Sequence, residues 1–165
     1  MLGFVHGGLK PTLRGGRGTA RLTYCCGSGF LTSDATAGCV GLIRYKLPKV
    51  ISVGAIDQNG RRAGFSNYGV NNVHIAAPGV DIVSTVPTAK GAAGYAYMSG
   101  TSMAAPHVSG AAALYASLNP CATSAQIREA LLRTAVIDPQ LTGAVQQSRR
   151  LDASKIRAEL KCSAP

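Results

Sequence analysis

A chain of 165 residues with 46% hydrophobic and 15% charged side chains is long enough for one domain with a real core and too apolar to be disordered. Its net charge of +10 bears on solubility and non-specific association rather than on fold. No apolar run reaches the roughly 18 residues of a membrane-spanning helix, and Met1 to Leu9 lacks the basic start, hydrophobic run and small-residue cleavage site of a secretory leader.

The basic excess is concentrated at the front. Residues 1–50 hold seven Lys/Arg against one acid, residues 51–125 three against two, and residues 126–165 seven against four. Residues 1–47 therefore read as a basic Gly/Arg-rich segment, and Leu9 to Arg21 shows neither strand nor helix periodicity. Three readings stay open for it: a solvated leader, a frame-shifted or wrongly started stretch, and a basic tail for nucleic acid or membrane. The last needs clustered cations interleaved with aromatics. The segment shows no known nucleic-acid-binding fold module, so neither nucleic acid nor membrane is expected as a partner.

Residues 48–165 read as a packed α/β domain. Strands are expected at 49–56, 73–76, 81–86 and 94–98. The first is an almost continuous Val/Ile run, as in a strand covered on both faces of a parallel sheet. A helix is expected over 102–118. Its small apolar residues suggest burial on all sides, Pro106 falls early enough to be tolerated, and Asn119-Pro120 ends it. Thr123-Ser124-Ala125-Gln126 has the form of a capping box, opening a second helix through Ile127, Leu131 and Leu132 to about Ala135. A third, short and amphipathic helix is expected over Ser154 to Lys161.

The junction between the last strand and the first helix carries the chemistry. Gly100-Thr101-Ser102-Met103-Ala104-Ala105-Pro106-His107-Val108-Ser109-Gly110 places a serine among small residues where strand becomes helix. Free amides and the helix dipole at such a terminus stabilise developing negative charge, as an acyl-transfer nucleophile requires.

This run resembles the serine signature of the subtilisin-like serine protease (subtilase) family: Gly-Thr-Ser, any residue, Ala or Ser, any residue, Pro, then small residues. Val50 to Asp57, Phe65-Ser66-Asn67-Tyr68-Gly69, Ala77-Pro78-Gly79 and Ile82 to Thr85 resemble the family's preceding landmarks in order. Leu141-Thr142-Gly143 and Arg150 to Ala153 resemble its closing segment. The resemblance implies the C-terminal half of a subtilisin-like doubly wound parallel-sheet domain. It also implies Ser102 as the catalytic nucleophile of a serine endopeptidase, protein or peptide substrates and an extracellular location.

The same resemblance implies parts that these residues do not supply. Family members carry the triad in the order Asp, His, Ser, with the histidine farther upstream than the residues preceding Ser102 allow. His6 lacks the rest of the family's His-Gly-Thr-His motif. His74 reads as a partly buried sheet histidine and His107 as a packed helix residue. The family's second oxyanion donor is an Asn upstream of the Val50 strand, yet the first asparagine here is Asn59. In subtilisin itself, losing that donor costs about 10²–10³ in kcat and losing the histidine about 10⁶. The expectation is a fragment that is inactive alone and completed by a separately encoded N-terminal half, or else a catalytically silent remnant or interaction fragment. Half a sheet also leaves a raw strand edge and an uncovered helix face.

No cofactor is expected. Many relatives have Asp where His74 stands, and in some it ligates calcium, so that calcium site is not supported by the residues here. Cysteines stand at 25, 26, 39, 121 and 162, an odd number whose pairing spacing cannot decide. By resemblance to secreted relatives, Cys39 is a partner for Cys121, with Cys121–Cys162 as the other pairing. The tally leans toward an oxidising compartment.

Overall fold

The computed structural model describes residues 50–87 and 93–160, and upstream of them the backbone of three short strands. Those strands are β1 (Thr12–Gly15) and β2 (Gly18–Arg21), paired as an antiparallel hairpin, and β3 (Thr23–Cys25). They are followed by β4 (Val50–Ile56), β5 (Ile75–Pro78), β6 (Ile82–Pro87) and β7 (Ala93–Met98). Then come α1 (Thr101–Leu118), α2 (Ser124–Thr134), β8 (Val136–Ile137) and β9 (Arg149–Arg150). His6, Cys26, Cys39 and Cys162 lie outside the described residues.

The main sheet has the order β3-β4-β5-β9-β8. Its first four strands are mutually parallel, and β8 closes the far edge antiparallel to β9. This is an α/β fold, as expected. One edge differs from expectation. The β4 edge is not raw along its whole length, because Thr23–Cys25 pairs with Val50–Ser52 there.

All seven residues of β4 are buried, because both faces of the sheet are covered. Alternation along the strand sends Ile51, Val53 and Ala55 toward α1, where they join Ile75 and Ala77 of β5 and Ile127 and Leu131 of α2. The opposite face packs Ile56, Val73 and Ala76 against Leu141 and Val145. Each fully buried aliphatic side chain contributes about 1.5–3 kcal/mol of transfer free energy. Strand β5 begins two residues later than expected. The Val73 amide is taken by the Gly69 carbonyl at 2.9 Å, so Val73 packs into the core from a turn rather than a ladder.

The expected strands 81–86 and 94–98 appear as β6 and β7. They pair with each other, antiparallel from Ile82↔Met98 to Pro87↔Ala93, in a ribbon separate from the main sheet.

Helix α1 is buried along one stripe rather than on all sides. Thr101, Ala104, Ala105, Val108, Ala111, Ala112 and Tyr115 face the sheet and α2, at helical spacing. Leu114, off that stripe, and Leu118, the last residue of the helix, are exposed. Small side chains allow the close approach to β4 and β5, but nothing among the described residues covers the outer face. Pro106 is the sixth residue of the helix, beyond the first turn. It has no amide to donate, so the Ser102 carbonyl four residues back forgoes its helical hydrogen bond.

The capping box is as expected. Thr123 Oγ1 accepts from the Gln126 amide at 3.3 Å, while Gln126 Oε1 accepts from the Thr123 amide at 2.8 Å. The expected third helix is not formed. After a single 3-10 turn at Ala153–Lys155 the chain runs without helix to Leu160. Asn119 is the reason. Its Oδ1 accepts the amides of Glu159 and Leu160 at 2.7 and 2.9 Å, donors that a helix would have used internally. Its Nδ2 donates to the Tyr115 and Arg157 carbonyls, both at 3.0 Å, so the buried amide is fully satisfied. Ile156 packs into the core beside it. Cys121, in the α1–α2 turn, is disulfide-bonded to a partner beyond the described side chains.

Candidate active site

The sequence turns from strand to helix within two residues. Ribbon strand β7 ends at Met98, Ser99 and Gly100 make the turn, and Thr101 opens α1. Ser99 ties the turn to the start of the ribbon. Its Oγ accepts the Asp81 amide at 2.8 Å and lies 3.3 Å from Asp81 Oδ1, to which it donates. Asp81 itself has φ 52°, a left-handed conformation that Asp tolerates better than most residues. Gly100 ties the turn to the sheet: its amide donates to the Gly79 carbonyl at 2.7 Å. The Gly100 carbonyl in turn accepts the Met103 and Ala104 amides at 3.0 and 3.2 Å, which starts the helix.

This places Ser102 as the second residue of an 18-residue helix. No side chain caps that terminus, and its first turn has no acidic residue. Among the described residues, neither the amide nor the hydroxyl of Ser102 has a hydrogen-bond partner. A bare helix N-terminus carries roughly half a positive charge. The Ser102 amide is therefore a donor free to meet an anion, and the hydroxyl, half-buried, is free to meet a base.

The histidines are elsewhere. His74 is fully buried, more so than expected, and its Nδ1 accepts the Ser52 amide at 2.9 Å. That nitrogen satisfies a sheet amide, and calcium takes oxygen ligands, so the residue present does not fit a calcium site. His107 is exposed rather than packed. Its Nδ1 lies 3.0 Å from the Met103 carbonyl, and it sits about 140° around the helix from Ser102. Among the described residues no histidine or carboxylate hydrogen-bonds Ser102.

Two contacts at this turn escape sequence reasoning, the Ser99–Asp81 bond and the Gly79–Gly100 bond. Ala77-Pro78-Gly79 stands out in the sequence, but a chain read linearly does not show that Gly79 touches a residue so far along it.

A serine on an uncapped helix N-terminus has a free amide donor and a free hydroxyl side by side, two groups that acyl-transfer chemistry uses. The chain belongs to the subtilase family, whose model matches residues 31–156. It is 56% identical over 86 residues to the thermophilic serine proteinase of Bacillus sp. strain AK1, covering 52% of this chain and 20% of that protein. To Subtilisin Savinase of Lederbergia lenta it is 47% identical over 97 residues, covering 58% of this chain and 34% of the relative. Among solved structures, a protease of Pseudoalteromonas arctica PAMC 21717 superposes with a TM-score of 0.56 at 34% identity, covering 64% of this chain and 34% of that one. The chain thus matches between a fifth and about a third of the length of these proteins. Subtilases are serine peptidases, and hydrolase chemistry is the family's expectation for this chain.

Proposed function

We propose that this chain carries the nucleophile segment of a subtilisin-like serine endopeptidase. In this reading Ser102 Oγ attacks the scissile peptide carbonyl while a base takes the hydroxyl proton; the base then gives that proton to the peptide nitrogen, the C–N bond breaks, and the amine leaves an acyl-enzyme ester on Ser102. Water then hydrolyses that ester and restores the serine. The Ser102 amide is one oxyanion donor. In this reading the Asp, the His and the second oxyanion donor come from outside the described residues, because among those residues no histidine or carboxylate hydrogen-bonds Ser102. Alone, the chain hydrolyses peptides poorly or not at all. Protein or peptide substrates and an extracellular location follow from the family. The Cys121 disulfide supports an oxidising compartment, and among the described residues no helix is long and apolar enough to cross a membrane.

The observation that carries this reading is the unpartnered Ser102 amide and hydroxyl on an uncapped helix N-terminus. A fluorophosphonate reagent, with labelling mapped by peptide mass spectrometry, tests it. The isolated chain should label at Ser102 slowly or not at all. Adding a separately expressed subtilase segment that bears the family's Asp, His and Asn motifs should accelerate labelling at Ser102 alone. Labelling spread over other serines would overturn the assignment. No labelling under either condition would favour a catalytically silent remnant.

A further inference from the structure

We propose that Gly79 is a positioning residue for Ser102, because only a residue without a Cβ lets the end of β5 dock onto the nucleophile turn. The inference rests on the reading of Ser102 as the nucleophile and concerns what holds it in place.

The contact is unusually close. A Cβ built on Gly79 would stand 2.8 Å from the Gly100 carbonyl oxygen, 2.7 Å from Ala55 Cβ and 3.1 Å from Ala104 Cβ. None of these is the end of a flexible side chain. One is backbone, and two are methyl groups fixed to the central strand and to α1. The backbone contact matters most. The Gly100 carbonyl is the acceptor that starts α1, taking the Met103 and Ala104 amides on either side of the next residue's turn. The Gly100 amide is bonded to the Gly79 carbonyl. Gly79 therefore holds Gly100 from one side by a hydrogen bond and leaves the space its carbonyl occupies on the other. A methyl group there must push the Gly100 carbonyl away, tilting the first turn and the free amide of Ser102. The other glycine of the motif offers no comparable constraint: a Cβ on Gly100 would meet only Met103 Sδ at 3.4 Å and the Ser102 amide nitrogen at 3.7 Å.

Catalytic turnover is not needed to read this. In the full chain carrying Ser102→Cys, the thiol ionises under the influence of the helix N-terminus, below the ordinary thiol value of about 8.5. The pH-midpoint of its alkylation by iodoacetamide, followed on the peptide containing residue 102, reports that field without any general base. Gly79→Ala in this background should raise the midpoint by roughly half a pH unit and slow alkylation at neutral pH about threefold. Adding Ala55→Gly removes the 2.7 Å methyl clash but keeps the 2.8 Å carbonyl contact. It should restore much of the thermal stability and leave the midpoint raised. An unchanged midpoint in Gly79→Ala, or recovery of midpoint and stability together in the double variant, reduces Gly79 to a packing residue and overturns the proposal.

Hydrogen exchange on the chain without any change at residue 79 guards against a variant that does not fold. The Gly100 amide should be protected as strongly as that of Ala104, and free exchange at Gly100 alone would equally overturn the proposal. A midpoint near the ordinary thiol value with Gly79 intact would instead count against the helix-terminus role of Ser102, so the two readings fail separately.

Discussion

Strand β4 hides all seven of its residues between two layers, while the β6–β7 ribbon leaves Tyr95 and Tyr97 about three-quarters exposed, at 77% and 75%. Both regions are rich in apolar side chains, so composition does not separate them. Neighbours do. Residues Ile51, Val53 and Ala55 find α1 on one side, and Ile56 finds Leu141 and Val145 on the other. Val83, Thr85, Tyr95 and Tyr97 share one face of the ribbon, and no described residue covers it. The Ser102 turn lies where these regions meet. Its position is set from the sheet side by Gly79 and from the ribbon side by the Ser99–Asp81 bond.

The sharpest way to break the contrast is to truncate both regions. Ile75→Ala removes a fully buried side chain from the core and should cost about 2–5 kcal/mol in urea unfolding. Tyr97→Ser on the ribbon should change stability by no more than about 0.5 kcal/mol. Equal losses would mean that the outer ribbon face is packed after all.

Next in size is Asn119→Ala, which strips four hydrogen bonds from one buried amide. It should cost about 2–3 kcal/mol, with exchange of the Glu159 and Leu160 amides accelerating before the rest. Uniform exchange across the chain would show that the segment is held by something other than Asn119. Thr123→Ala dismantles the capping box on α2 and should cost about 1 kcal/mol, read from the same unfolding curves.

The smallest effects come from pH. Burial, then the Glu159 carboxylate and its hydrogen bond, hold the Tyr115 phenol above its ordinary 10.0. The folded chain keeps that proton more tightly than the unfolded chain. The stability it contributes is complete below pH 10.0 and is lost as the pH rises through the raised value. Tyr115→Phe should flatten the alkaline limb of a thermal melt series. On the acid side, hydrogen bonds from Ser154, with Lys155 nearby, hold Asp152 below its ordinary 3.8. That contribution is present above pH 3.8 and disappears as the pH falls through the lowered value. Asp152→Asn should remove this small acid-side contribution and leave the alkaline limb untouched.

The elements legible in the sequence are those whose signal is local. The Val/Ile run of β4, the capping box of α2 and the serine motif at the start of α1 each lie within a dozen residues, and each stands where its pattern puts it. Elements set by distant partners were not legible. Strands β8 and β9 have two residues each, too few to show any period. Residues 154–161 have a helical pattern, but Asn119 takes their amides from about 40 positions away. The small apolar run of α1 reads as burial all round, because small residues say how closely a neighbour can approach and not how many neighbours there are. The position of Ser102 was readable. The hold that Gly79 and Ser99 have on it was not, since both bonds join residues about 20 apart in sequence across a turn.

The pairing of Ala76 with Arg150 has a consequence for how the protein is made. Strand β9 is translated roughly 70 residues after its neighbour, and at about 5–20 residues per second a ribosome needs several seconds to reach it. During that interval β5 has a vacant flank, and the Leu141 and Val145 face of the core does not yet exist. The nascent chain already holds the serine turn and α1, so the chemical motif emerges before the layer that steadies it. Ribosome-bound chains stalled shortly before Arg149 should therefore be far more sensitive to added protease than chains released a few residues beyond it.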